Sequence, residues 1–272
     1  VVAKLRGILK QKKIGHTGTL DPDAEGVLPV CLGTATRVCE IITDHSKSYE
    51  VVMLLGIGTD SQDITGNIEN LAPDGAIAAL DDDSIRAAIM SFVGEYDQLP
   101  PMYSAVRMQG QRLYELARAG RDIVREPRHV AIDRIEIVSD IVRGLFSDTF
   151  PYESLTESSR IGLLKDRTAD SDRRFARYAA GNGLEKPIEH DKELESMPVI
   201  RVAFSVECSK GTYIRSLCSD IGDRLGVHGC VERLMRTKVN IFDIDSDAAL
   251  SIKEQKGTTM VSLLRSEEHT SE

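Results

Sequence analysis

Hydrophobic and polar positions change period several times along the chain. In "PVIRVAFSVEC" (198–208), Ile200, Val202, Phe204 and Val206 alternate with their neighbours, which predicts a strand. "SYEVVMLLGIG" (48–58) and "HVAIDRIEIV" (129–138) are read as strands too, the first ending in glycines. Helical spacing takes over elsewhere. Leu5, Ile8 and Leu9 share one face of "LRGILKQ", and Val38, Ile41, Ile42 and His45 repeat in "TRVCEIITDH". "DDSIRAAIMSFVG" (82–94) predicts a helix with Ser84 as cap, Ile85, Ile89 and Phe92 on the buried side, and Gly94 as stop. "SLCSDIGDRLG" stacks Leu217, Ile221 and Leu225 and ends at Gly226, and "QRLYELARAG" (111–120) predicts a short helix with a glycine stop. The paired prolines of "LPPMYSAV" (99–106) forbid helix, and "GTDSQDITG" (58–66) is turn-rich.

Strands and helices mix without a strict βαβ rhythm, so the fold class is expected to be α+β. Residues 140–196 have a different texture. They are polar, lack sustained periodicity, and are expected to be an insertion between two strands. No internal repeat is present.

Composition narrows the class. Of 272 residues, 41% are hydrophobic and 28% charged, the balance of a globular chain. No apolar run reaches the roughly 18 residues a membrane span needs. Cys31, Cys39, Cys208, Cys218 and Cys230 form no CxxC and no metal spacing, so reduced thiols and a cytoplasmic location are expected. The start lacks an initiator Met and is read as a fragment. The final eight residues, "RSEEHTSE" (265–272), are what a sequencing adaptor would spell in translation, and are expected to be a non-native tail. The net charge of −9 argues against a nucleic-acid partner when taken alone. Its distribution weakens that argument. "KLRGILKQKK", the region from Arg107 to His129 and "RLMRTK" are basic, and screening keeps remote acid from cancelling them.

One stretch concentrates candidate chemistry. "GHTGTLDPDAEG" (15–26) packs Asp21, Asp23, Glu25 and His16 between glycines. A calcium loop starting at Asp21 would need a bidentate Glu at its twelfth position, where Leu32 stands. An aspartyl-phosphate motif would need a preceding strand and a hydroxyl or β-branched residue after the second aspartate, and both are missing. The glycines match neither phosphate-loop fingerprint. Asp21-Pro22 by itself says only that the chain turns. A uracil-C5 methyltransferase would use Cys208 as the nucleophile, but the chain has no glycine-rich cofactor loop after a strand.

Several long blocks together carry a stronger signal. "KKIGHTGTLDPDAEGVLPVCLGTATR", "KSYEVVMLLGIGTDSQDITG", "LPPMYSAVRMQGQRLYELARAG" and "VECSKGTYIRSLCSDIGDRLG" occur in this order. In these blocks the chain closely resembles the TruB family of tRNA pseudouridine synthases. The resemblance covers most of residues 1–138 and 198–250. It implies the pseudouridine synthase fold, a mixed, mostly antiparallel sheet flanked by helices around a central RNA-binding cleft. By that comparison residues 1–264 form the catalytic domain, without the opening strand and without a complete C-terminal RNA-binding domain.

The resemblance also implies an activity. Uridine 55 in the T-loop of tRNA would be isomerised to pseudouridine, with no cofactor and no metal; the sequence carries no oligomeric signal, and a monomer is expected. Asp21 matches the catalytic aspartate and Arg215 the arginine paired with it. Tyr49 matches the tyrosine that stacks on the flipped base, and Tyr213 and Leu234 match further pocket positions. His16 matches the histidine of G-H-T-G, read as holding the flipped nucleotide or a nearby phosphate. Lys12, Lys13, Lys47, Arg107 and Lys210 are candidate phosphate contacts that would position the RNA without reading its sequence. The competing reading from another class is a non-catalytic RNA-binding module that helps tRNA fold.

Overall fold

The computed structural model describes residues 1–21, 23–104, 107–108, 111–113, 124–161, 194–245, 250–255 and 258–263. The chain opens with helix α1 (Val2–Leu9) and strands β1 (Ile14–His16), β2 (Glu25–Gly26) and β3 (Val30–Leu32). A 3-10 turn (Gly33–Val38) runs into α2 (Cys39–Thr43), followed by β4 (Lys47–Leu55), β5 (Ile57–Thr59) and β6 (Ile68–Leu71). Next come α3 (Ala76–Ala79), α4 (Asp82–Met90), β7 (Gly94–Gln98), β8 (Arg107–Met108) and β9 (Gln111–Arg112). After β10 (Arg128–Ile137) and β11 (Val142–Leu145) come β12 (Pro198–Cys208), α5 (Ile214–Leu225) and β13 (Gly229–Val239). The hairpins end with β14 (Phe242–Asp243), β15 (Leu250–Gln255) and β16 (Thr258–Leu263). The class is α+β, as expected.

Two compact units divide the chain: Val1–Tyr49 with Met235–Glu272, and Glu50–Leu234. The second unit carries the larger core. Its strands are ordered β13-β4-β12-β10-β7, with β11 also on β12. β10 runs antiparallel to both β12 and β7. Val51 to Leu55 of β4 are all fully buried, as are Ile200, Val202, Ala203 and Phe204 of β12. Both faces of these strands are covered, which is why "VVMLL" is a continuous apolar run and not an alternating one. Each such side chain contributes about 1.5–3 kcal/mol by leaving water. Leu54, Ile57, Phe146, Val199 and Cys230 form one cluster within this core.

Helix α5 lies close to the loop after it. A Cβ on Gly222 would sit 2.2 Å from the Gly229 nitrogen, so only glycine permits that approach. Gly226 ends the helix in the left-handed conformation, at φ 73°, as expected from sequence. Helix α4 differs in detail. Asp81, not Ser84, is its cap, and the Asp81 carboxylate accepts from the Ser84 N–H at 2.7 Å. That hydrogen bond is the main cause holding the Asp81 carboxyl below its ordinary range. Gly94 does not stop the helix but opens β7.

Three further expectations change. "TRVCEIITDH" forms a 3-10 turn and a short helix, with Val38 and Ile41 exposed. In "QRLYELARAG", Gln111 and Arg112 are strand, and residues 114–120 lie outside the described residues. The start of the polar insertion is part of the sheet. β11 pairs with β12, from Val142 opposite Arg201 to Leu145 opposite Pro198. Phe146, Phe150, Tyr152 and Ile161 are buried beyond it. Glu50, itself buried, accepts hydrogen bonds from the Ser159 hydroxyl and from the N–H groups of Arg160 and Ile161. Residues 162–193 of the insertion and 264–272 of the tail lie outside the described residues.

Candidate active site

In the first unit the acidic loop is built on a short hairpin. β1 and β3 run antiparallel, with Gly15 opposite Cys31 and His16 opposite Val30. The Thr17 N–H continues the pairing to the Pro29 carbonyl at 3.2 Å. The chain then turns at Asp21, whose carbonyl accepts from the Ala24 N–H at 3.1 Å. That is the turn that Asp before Pro favours. The Asp21 side chain is half-buried and His16 is exposed.

β2 returns alongside the end of β13, parallel, with Glu25 opposite Met235 and Gly26 opposite Arg236. Gly26 has φ +105°, and a Cβ there would fall 2.1 Å from the Arg236 carbonyl oxygen. No side chain fits at that position. The Val27 N–H donates to the same carbonyl at 2.8 Å. The Arg236 side chain, 1% exposed, turns back onto the loop. Its Nε donates to the Val27 carbonyl at 2.8 Å and its Nη2 to the Gly18 carbonyl at 3.3 Å. The Thr17 hydroxyl is also fully buried, and has no hydrogen-bond partner among the described residues.

Other candidates of this unit are more local. Lys12 and Lys13 are exposed. The Lys47 ammonium donates to the carbonyls of Thr43 and His45, at 3.1 and 2.9 Å, so it closes the end of α2. Tyr49 is half-buried in β4.

In the second unit, Tyr213 and Arg215 stand at the start of α5, and that start is tightly fixed. Gln98, 1% exposed, uses both ends of its amide on Tyr213. Its Oε1 accepts from the Tyr213 N–H at 2.7 Å, and its Nε2 donates to the Tyr213 carbonyl at 3.0 Å. Gln98 Nε2 also donates to the Tyr96 hydroxyl at 2.5 Å. The Tyr96 hydroxyl is in turn bonded to Asp220. Burial is the main cause raising the Asp220 carboxyl to about 6; Asp223 adds to the rise, and Tyr96 and Arg224 oppose it.

Arg215 is 5% exposed, so it is no surface residue. Its two terminal nitrogens donate to the carbonyls of Ser61 and Tyr103, both at 2.9 Å. The Ser216 hydroxyl anchors the next position on Gln62 and the Leu99 carbonyl. Leu234 is buried at the end of the unit. Lys210 is exposed, and Arg107 is described only through its backbone, in β8.

Sequence reasoning therefore missed Arg236, Gln98 and Glu50. Arg236 looked like one cation of a basic run, and nothing in the local pattern singles out Gln98 or Glu50. What distinguishes them is burial, which neither charge nor period encodes.

The model of the TruB family pseudouridylate synthase N-terminal domain matches residues 6–144, about half of the chain. The chain belongs to the TruB family. It is 41% identical over 255 residues to the tRNA pseudouridine synthase B of Lachnoclostridium phytofermentans, covering 94% of this chain and 66% of that protein. The protein of the same name from Alkaliphilus oremlandii is 38% identical over 254 residues, covering 93% and 64%. That of Bacillus licheniformis is 35% identical over 244 residues, covering 90% and 62%. The chain thus spans less than two thirds of the length of these relatives. Among solved structures, a Cbf5-Nop10-Gar1 complex superposes with a TM-score of 0.50 at 26% identity, over 90% of this chain and 45% of that one.

Proposed function

We propose that this chain isomerises uridine 55 in the T-loop of tRNA to pseudouridine. The N1–C1′ bond of the nucleotide breaks, the uracil turns, C5 bonds to C1′, the C5 proton is lost and N1 takes up a proton. The product has the atoms of the substrate, so neither oxidant nor group donor is required. The observation that carries the reading is the loop holding Asp21 at a half-buried turn, inside the span that matches the family. Its carboxylate would attack C1′ or stabilise positive charge there; addition to C6 of the base is the other route. Arg215 is proposed as the cation that keeps this carboxylate ionised.

The target base must leave its stack, at a cost of a few kcal/mol. Tyr49 is proposed to receive its face, and stacking worth roughly 1–3 kcal/mol would offset much of that cost. Tyr213 and Leu234 would complete the pocket, and His16 would hold the nucleotide or a phosphate. Lys12, Lys13, Lys47, Arg107 and Lys210 would contact phosphates of the T-arm. A cytoplasmic location follows from such a substrate.

The test is incubation of the purified chain with a T-arm stem-loop RNA, without added metal or cofactor, followed by quantification of pseudouridine. Conversion of the T-loop uridine is expected. Tight binding with no conversion would favour the non-catalytic RNA-binding module. Methylation in the presence of S-adenosylmethionine would revive the methyltransferase.

A further inference from the structure

Asp21 belongs to a loop that begins at Gly18 and ends at Val27, and both ends converge on one side chain. A carboxylate that acts on a sugar must be held within a fraction of an ångström, because misplacement by 1 Å costs about 100-fold in rate. A loop bounded by glycines does not supply that rigidity from its own backbone.

We propose that Arg236 is the positioning residue of this loop, its guanidinium tying the Gly18 and Val27 carbonyls together so that Asp21 is presented in one orientation. The inference deepens the reading of Asp21 as the catalytic carboxylate and rests on it.

Several observations converge. Arg236 is almost completely buried although it carries a charge, a placement that is costly unless its donors are used. Two of them reach main-chain carbonyls on either side of Asp21, at 2.8 and 3.3 Å. The backbone joins in, since the Arg236 carbonyl accepts from Val27. Both polar main-chain groups of Val27 are therefore bound to one residue. The missing Cβ of Gly26 is what lets the two strands approach closely enough. The planar guanidinium presents its Nε and Nη2 donors to the two carbonyls from fixed positions. The lysine ammonium is a point charge on a flexible stem and cannot be substituted without loosening the loop.

The experiment compares Arg236→Lys with Arg201→Lys. Arg201 is an equally buried arginine, paired with Glu232 and donating to the carbonyls of Leu145 and Phe146 in the second unit. Steady-state conversion of a T-arm stem-loop and thermal unfolding are measured for both variants. Arg236→Lys is expected to lower kcat about 10- to 100-fold with KM within about threefold of wild type. Arg201→Lys is expected to lose stability while keeping kcat. Should Arg236→Lys fail to fold, the neutral Arg236→Gln, which retains a donor, replaces it with the same readouts.

Wild-type kcat in a folded Arg236 variant, a change in KM alone, or an equal kcat loss in Arg201→Lys would each overturn the assignment. Asp21→Asn is run alongside. If it keeps turnover, the reading of the site itself fails. If it is inactive while Arg236→Lys turns over normally, only the role of Arg236 fails.

Discussion

Tyr49 and Asp220 illustrate opposite ways in which a single residue can matter. Tyr49 is half-buried at the end of its unit, and its proposed work is to stack on an everted base. Tyr49→Ala is expected to lower kcat/KM by roughly 5- to 150-fold, equivalent to 1–3 kcal/mol of stacking, while changing melting temperature little. Unchanged kinetics would remove Tyr49 from the pocket. Asp220 is a matter of stability. Its carboxyl is raised to about 6 in the folded protein, above its ordinary 3.8, chiefly by burial. The folded state therefore holds this proton more tightly than the unfolded chain does. That contribution is complete below about pH 4 and is lost as pH rises through about 6. Asp220→Asn, which can still accept from Tyr96, is expected to melt higher than wild type at pH 8 and level with it near pH 4. A variant that melts lower at pH 8 would show that the Asp220 charge is stabilising.

At the scale of elements, the start of α5 depends on a neighbouring strand end. Gln98 closes β7 and completes both main-chain hydrogen bonds of Tyr213. Gln98→Ala leaves the Tyr213 N–H without its partner, while the Tyr213 carbonyl keeps the Leu217 N–H, and is expected to cost about 1–3 kcal/mol in urea unfolding. A loss below about 0.5 kcal/mol would mean that water replaces the amide. Such contacts are where sequence reading runs out. β12 was legible from end to end, because Ile200, Val202, Phe204 and Val206 alternate along it, although both of its faces are buried. Helix α5 was legible through its glycine stop. β11 was not, because "VRGL" is too short to show a period and its partner is distant in sequence. The same holds within the site. The Asp21 loop could be read from its local residues, whereas Arg236 acquires its role only when β13 meets β2. The cap of α4 moved from Ser84 to Asp81 because the helix already starts at Asp82, which puts Ser84 in the first turn with its N–H on the Asp81 carboxylate.

At the scale of the whole molecule, the proposed RNA binding by a chain of net charge −9 would have to run through local cations. If Lys12, Lys13, Lys47, Arg107 and Lys210 all touch phosphates, log K against log salt should fall with a slope of about −3.5, at about 0.7 per contact. A flat plot would exclude these contacts. Asp21 remains the centre of the account, since recognition by shape and charge without a positioned carboxylate leads to no reaction. The most direct measurement is single-turnover conversion of a T-arm stem-loop by wild type and Asp21→Asn, with RNA binding measured in parallel. Conversion by wild type is expected, together with undiminished RNA binding and no detectable pseudouridine in Asp21→Asn. Measurable turnover by pure Asp21→Asn protein would contradict the assignment.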